Sequence, residues 1–343
     1  MLTRVLALAV LSLLAGSANA QQPCPAGTPQ LIIYHAGSLS AAFVAVERVF
    51  KERTGICVVD VAGGSVDAAR RVTAGRQPCD IYASADYQVI DRMLKPAHYA
   101  DYSILFAEGG MVLAYTTNSK DAATIAAPDS TFSPPDVIPD AAFDWYQQLT
   151  QPGVAIAGSH PFLDPGGYRA DLIFQLAQGH YDVPNLYNTM LAHYSISKAA
   201  DALGKTFDYQ FTYEHSAAAA YQADTTGTYR YVRLPDDVSL GLSGLNKRYA
   251  ERSITIPGLQ LATTASTVRI PATRVTWGLT VMKAAPNHDN ALAFLQLLFS
   301  SEGAAMQTAA GPTPISPPIV SRQDYAHLPA SLKAIVRAQP ATH

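Results

Sequence analysis

The sequence predicts an α/β protein of two lobes, and three observations carry that expectation. Strand, turn and helix follow one another three times between Leu31 and Leu94. A second set of strands and helices runs from Val154 to Leu234, and an apolar strand at Val275–Met282 followed by a long apolar-faced helix brings the chain back. Successive βα units build a parallel sheet covered by helices, and a chain that leaves one such unit and returns to it leaves a cleft between two lobes. Length agrees: 343 residues, 48% of them hydrophobic and 15% charged, are enough for two cores of about 150 residues each. Disordered, fibrous and coiled-coil classes are excluded on the same composition. The formal charge of -3 supplies no basic field for nucleic acid or an anionic membrane surface.

Residues 1–20 read as a signal peptide. Arg4 is followed by an apolar run, Val5 to Leu14, too short to span a bilayer, and Ala18-Asn19-Ala20 is a small-x-small cleavage signal. Cleavage after Ala20 would make Gln21 the first mature residue and place the protein in the periplasm. An oxidising compartment permits a disulfide among Cys24, Cys57 and Cys79, and Cys24 with Cys57 is favoured because both stand at the start of neighbouring strands. No clustered His/Cys spacing supports a zinc site.

The first strand is expected at Leu31–Tyr34, followed by the turn His35-Ala36-Gly37-Ser38 and a helix over Leu39–Arg53 with Ala42, Phe43, Val46, Val49 and Phe50 on one face. Ile56–Val61, Gly63-Gly64-Ser65 and Val66–Thr73 repeat the pattern. Ile81–Ala83, Ser84-Ala85-Asp86 and Tyr87–Leu94 repeat it again. Each turn lies at a strand's carboxyl end, where ligands bind in open parallel sheets and helix N-termini offer N–H groups to anions. Met111–Thr116 is read as the strand that leaves the first lobe, and Ala127–Pro139, rich in Pro, Asp and Ser, as a surface loop. Residues 21–115 with 275–343 then form lobe 1, and 116–274 form lobe 2. In lobe 2 the expected elements are a strand at Val154–Ala157, a loop at Ser159–Gly167, a helix at Tyr168–Gln178, strands at Phe207–Tyr213 and Tyr229–Leu234, and a helix start at Glu214–Tyr221. The returning helix is expected as one piece, Asn290–Ala309.

Two carboxylates stand at strand-to-helix junctions of lobe 2: Asp164, in Asp164-Pro165-Gly166-Gly167-Tyr168-Arg169, and Glu214, in Tyr213-Glu214-His215-Ser216. Each has an ordinary structural use, Asp164 as a helix cap and Glu214 as a first-turn acid. As an acid and base pair they would suit a secreted glycosidase, although the turns facing them lack aromatic platforms for sugar. No Gly-x-Ser-x-Gly elbow supports a nucleophilic hydrolase.

Taken in order, His35-Ala36-Gly37-Ser38-Leu39, Ala62-Gly63-Gly64-Ser65, Asp80-Ile81-Tyr82-Ala83-Ser84-Ala85-Asp86-Tyr87, Asp164–Arg169, the Glu214 segment, Tyr231-Val232-Arg233-Leu234-Pro235 and Trp277-Gly278-Leu279-Thr280-Val281 resemble the tungstate/molybdate-binding proteins of ABC importers. The resemblance spans about Leu31 to Pro318. It implies a type II periplasmic binding protein, not an enzyme and without a cofactor, that closes as a monomer on a small inorganic oxyanion and hands it to a membrane permease. By position it assigns Gly37 and Ser38 to the first anion-binding turn, Ser65 to the second, Asp164, Pro165 and Gly166 to the third contact, Glu214 to a second carboxylate and Tyr231 to a cleft tyrosine. In the family form with both acids, the carboxylates bind the tungsten or molybdenum centre and raise it from four- to six-coordinate. That use is physically coherent, because two carboxylates repel a dianion's oxygens but are favourable ligands of a hard, high-valent centre. Gly166 stands where the family usually has Cys, and Ser216-Ala217 replaces the expected Lys-Ser pair. The other reading of the same fold is a receptor for a sulfate- or phosphate-like anion. His35 and His215 flank the assigned residues and are expected to support the site rather than touch the ligand.

Overall fold

The computed structural model describes residues 24–125, 145–197, 203–259 and 266–339, so the leader at 1–20 and the Ala127–Pro139 loop lie outside the described residues. The first strand, β1, runs Gln30–Ala36, and its apolar residues Leu31, Ile33 and Tyr34 are buried. Helix α1, Ser40–Thr54, buries Ala42, Phe43, Val46 and Phe50 of the expected face, with Val49 only half-buried, and Gly55 ends it at φ 70°. Strand β2 (Cys57–Gly63), helix α2 (Ser65–Val72) and strand β3 (Ile81–Ser84) follow. The third expected helix is short: Tyr87–Val89 is α-helical and Ile90–Leu94 continues as a wider π-type turn. Strands β4 (Ile104–Gly109) and β5 (Met111–Thr116) are separated by Gly110 alone.

The middle of the chain supplies β6 (Ile156–Gly158), the 165–181 helix, β7 (Tyr194–Ile196), β8 (Tyr209–Tyr213), the 214–223 helix and β9 (Tyr229–Arg233). A two-stranded ribbon, β10 (Ser253–Pro257) and β11 (Thr267–Pro271), precedes β12 (Val275–Val281). The last strands are β13 (Thr313–Val320) and β14 (Arg337–Ala338).

These strands make two main sheets. The first has the order β14-β13-β4-β12-β3-β1-β2, with β2, β1 and β3 parallel and β12 inserted antiparallel between β3 and β4. The second has the order β7-β6-β8-β5-β9. Met111–Thr116 therefore lies wholly in the second sheet, between β8 and β9, and the chain changes lobe at Gly109–Gly110. It returns between Pro271 and Val275.

The first lobe's core is centred on Phe43, whose ring meets Phe106 and Phe294 at 6.3 and 6.1 Å; Phe294 also meets Phe50 edge-on at 5.4 Å. In the second lobe Phe211 lies edge-on to Trp145 and Phe174, at 5.8 and 5.3 Å. The two faces of β5 divide as period two demands. Leu113 joins the main core, while Val112 and Ala114 form a separate small cluster with Ala217 and Tyr231.

The helix expected over Asn290–Ala309 is two helices, His288–Leu298 and Ser301–Ala310. Ser300 divides them, its Oγ accepting the Gly303 N–H at 3.1 Å as an N-cap while its backbone stays extended. The disulfide joins Cys24 to Cys57, with a Cα separation of 5.8 Å, and Cys79 is a buried free thiol.

Candidate functional site

Ser38 and Ser65 stand at the carboxyl ends of adjacent parallel strands, β1 and β2, because each strand runs straight into a helix. Ser38 lies in a 3-10 turn, Gly37–Leu39, with Gly37 exposed in front of it. Its Oγ accepts the indole N–H of Trp277 at 3.0 Å. Ser65 opens α2, and its Oγ accepts the Ala85 N–H at 3.0 Å. A serine hydroxyl has one proton and two lone pairs. In both residues the protein engages a lone pair, and neither hydroxyl donates to a described group, so both protons remain for an outside acceptor. Tyr82 fixes Ser65 further by donating to its carbonyl at 2.6 Å.

Asp164 approaches this edge from the other lobe. It caps the 165–181 helix, Oδ1 accepting the Gly166 N–H at 2.7 Å, with Pro165 at the first helical position where its missing N–H costs nothing. Burial lifts its carboxyl above the ordinary range, opposed by the Gly166 N–H and the Arg169 guanidinium. Oδ2 is bonded to no described group. A Cβ on Gly166 would stand 3.3 Å from Asp164 Oδ1 and 3.8 Å from both Ser159 Oγ and Tyr213 Oη.

The lobes meet closely here. The Leu163 carbonyl accepts the N–H groups of Val66 and Asp67, both at 3.1 Å, at the start of α2. A Cβ on Gly64 would lie 2.5 Å from that oxygen, so only glycine permits the approach. His215 Nε2 donates to the Ser38 carbonyl at 2.9 Å, which fixes the proton on Nε2; burial pushes the imidazole below its ordinary pKa, so it is neutral near pH 7. Trp277 lies 5.0 Å from Tyr213 and 5.3 Å from His215, ring centre to ring centre.

Arg169 was not foreseen as part of this region. Its side chain is buried, and Nη1 donates to the Ala85 carbonyl at 2.8 Å and Tyr213 Oη at 2.9 Å. Tyr168 donates to Asp86 Oδ2 at 2.8 Å. Both residues lie inside the Asp164–Arg169 motif, whose helical spacing was the available signal.

Glu214 and Tyr231 have other surroundings. Glu214 opens the 214–223 helix, but Oε1 accepts from Arg233 Nε at 2.6 Å and Nη2 at 2.5 Å. Tyr231 is packed with Val112, Ala114 and Ala217 and lies edge-on to Tyr221 at 6.1 Å. Asp164 thus acts on Tyr82, Tyr194 and Tyr213, whereas Glu214 acts on His215 and Tyr231.

Beneath the first turn, His35, Glu47 and Asp60 gather their ligand-type atoms within 4.8 Å of one another. His35 Nε2 lies 2.5 Å from Asp60 Oδ1, and Nδ1 lies 2.8 Å from the Ala36 carbonyl. Two ligands each about 2.1 Å from a metal at an open angle stand more than 3 Å apart, so the two atoms as placed form a close His–Asp pair with no room for an ion between them. Burial alone would lower the His35 pKa; the Asp60 contact outweighs it and raises it. Burial, reinforced by Asp60, pushes Glu47 up to about 8.

The sequence pattern of the family described as "Bacterial extracellular solute-binding protein" matches residues 31–312. The "Molybdate/tungstate-binding protein WtpA" of Pyrococcus abyssi is 31% identical over 342 residues, covering 90% of each chain. That of Thermococcus kodakarensis is 30% identical and covers 100% of this chain and 97% of its own. In fold, the chain is similar to the Azotobacter vinelandii periplasmic molybdate-binding protein, with a TM-score of 0.54 at 16% identity over 84% of this chain and 99% of the other. It is also similar to the sulfate-binding protein SubI of Mycobacterium tuberculosis, with a TM-score of 0.56 at 15% identity over 84% and 88%. The family pattern runs through both α/β lobes, over residues 31–312, and makes this chain a member of the bacterial extracellular solute-binding proteins.

Proposed function

We propose that the protein is exported to the periplasm by its cleaved leader, captures tungstate or molybdate between its lobes as a monomer, and delivers it to an ABC permease without catalysing a reaction. The observation that carries the reading is the pair of serine hydroxyls, Ser38 and Ser65, each accepting an N–H from the protein and each left with a proton to donate. A fully deprotonated oxyanion offers only acceptors, so a site of donors without a titratable proton to lose selects for it. Gly37 leaves the first turn open, and Asp164, seated by Pro165 and Gly166, presents the carboxylate that would ligate the tungsten or molybdenum centre. Glu214 would supply the second on leaving Arg233, with Tyr231 behind it.

A second reading is favoured by one observation. The ion pair of Glu214 with Arg233 withholds that carboxylate, and a site with one acid and several donors suits a tetrahedral sulfate- or phosphate-like anion. Thermal unfolding of ligand-stripped protein with tungstate, molybdate, sulfate and phosphate separates the two, since a ligand of the folded state raises the melting temperature. Tungstate and molybdate should shift it and sulfate should not. Asp164→Asn should reduce the tungstate affinity at least ~tenfold, and Glu214→Gln should do the same if both acids ligate the metal. Stabilisation by sulfate, with Glu214→Gln silent, would replace the first reading by the second.

A further inference from the structure

We propose that Asp86, Tyr168 and Arg169 form a latch between the lobes that sets how long the cleft stays closed, as positioning residues that do not touch the ligand. The inference deepens the oxyanion-binding reading and rests on it. Asp86 is held in place by its own lobe: Oδ1 accepts the Gln88 N–H at 3.0 Å, the Asp86 N–H donates to Ser84 Oγ at 3.1 Å, and Ser84 Oγ donates back to the Asp86 carbonyl at 2.7 Å. Among the described residues its remaining oxygen, Oδ2, is bonded or paired with groups of the other lobe alone, Tyr168 Oη at 2.8 Å and Arg169 Nη2 at 3.6 Å. Arg169 Nη1 reaches in the same direction to the Ala85 carbonyl while staying bonded to Tyr213 of its own lobe. Side chains of Asp86 and Arg169 are 3% and 2% exposed, so the contact bridges the lobes with water excluded.

The energetics confine the effect to one state. Opening rehydrates both charges, so losing one hydrogen bond costs the open state nothing, whereas in the closed state it leaves a buried carboxylate short of a partner. A change in the latch therefore alters release and leaves capture alone. It also alters release by one factor for every ligand, because no latch atom need meet the anion. A ligand contact would discriminate between anions instead.

The decisive variant is Tyr168→Phe, which deletes the donor and keeps the ring. Stopped-flow measurement of tryptophan fluorescence, which includes Trp277 at the lobe junction, should show tungstate and molybdate dissociation both faster, on the order of tenfold, with association rates changed far less. A second readout needs no ligand identity: fluorophores on cysteines replacing exposed Val44 and Leu191, one per lobe, should report a longer mean separation in Tyr168→Phe than in wild type, with and without tungstate. Equal label distances and equal dissociation rates would overturn the latch, as would acceleration for one anion only. If wild type fails to respond to tungstate or molybdate, the oxyanion reading falls, and the ligand-free label distances still decide the latch.

Discussion

Glu47 illustrates how one side chain can carry a pH dependence. It projects from α1 into the first lobe at 6% exposure, beside Asp60 and His35, and its carboxyl is pushed up to about 8. In the unfolded chain a glutamate titrates near 4.3, so between roughly pH 4.5 and 8 the folded protein holds a proton that the unfolded chain has lost. Glu47 thus favours folding most below its unfolded pKa, and that contribution is lost as pH rises through about 8. Glu47→Gln mimics the protonated form at every pH. Its melting temperature should stay close to wild type at pH 5 and rise increasingly above it toward pH 8, by calorimetry in matched ionic strength. A constant offset across that range would show that Glu47 is not the titrating group. At the serines, the proton count is equally concrete. Ser38→Ala or Ser65→Ala removes a charge-assisted donor and should weaken tungstate binding by about 10- to 100-fold, read by calorimetric titration.

At the level of elements, the disulfide ties the segment before β1 to the start of β2, the edge strand of the seven-stranded sheet. It closes a loop of 33 residues, and chain-entropy reasoning assigns such a crosslink about 3–4 kcal/mol. Replacing Cys24 and Cys57 by serine should lower the melting temperature by several degrees, without disturbing tungstate affinity, since the bridge lies at the end of the sheet away from Ser38 and Ser65. Cys79 is no rival partner: it is buried, and burial pushes its thiol well above the ordinary range. The parallel β2-β1-β3 unit was legible because short apolar runs alternate with small-residue turns and a 3.6-residue stripe such as Phe43, Val46 and Phe50. The 288–310 helix was misread because apolar periodicity carries straight across Ser300, and only the cap geometry shows the break. Strands β4 and β13 were not foreseen; β13 contains Pro314, Pro317 and Pro318, which argue against a strand, and of these Pro314 pairs with Ala107 of β4 while Pro317 and Pro318 fall in the irregular stretch between the two paired ends. At the candidate site, turn position alone placed Ser38 and Ser65 at strand ends and Asp164 at a helix cap, while their assignment to a ligand came from the family resemblance. Arg169 could not be placed in this way, because its role depends on Ala85 and Tyr213, which are distant in sequence, and the pairing of Glu214 with Arg233 depends on the register of β9.

Across the whole molecule, the lobes touch through contacts that cross between them: Leu163 with α2, His215 with Ser38, and the Arg70 guanidinium with the Phe162 carbonyl at 2.7 Å. With the chain passing between lobes at Gly109–Gly110 and again before Val275, the motion open to it is rotation about that pair of crossings. A Cβ on Gly110 would lie 3.2 Å from Gly241 Cα, so the crossing is tightly packed against the segment that adjoins the return path. Small-angle scattering should show a smaller radius of gyration with tungstate than in ligand-stripped protein; identical profiles would mean that the cleft binds without closing.

The double crossing also orders assembly along the growing chain. The second sheet draws all its strands from Met111 to Arg233 in one unbroken stretch, so it has every partner once residue 233 is made. The first sheet does not, because β4 pairs only with β12 and β13, more than 160 residues downstream. Until Val275–Val281 arrives, Ile104–Gly109 has no neighbour and the edge of β3 stands open beside it. The lobe that begins the protein is thus the one whose sheet is completed last.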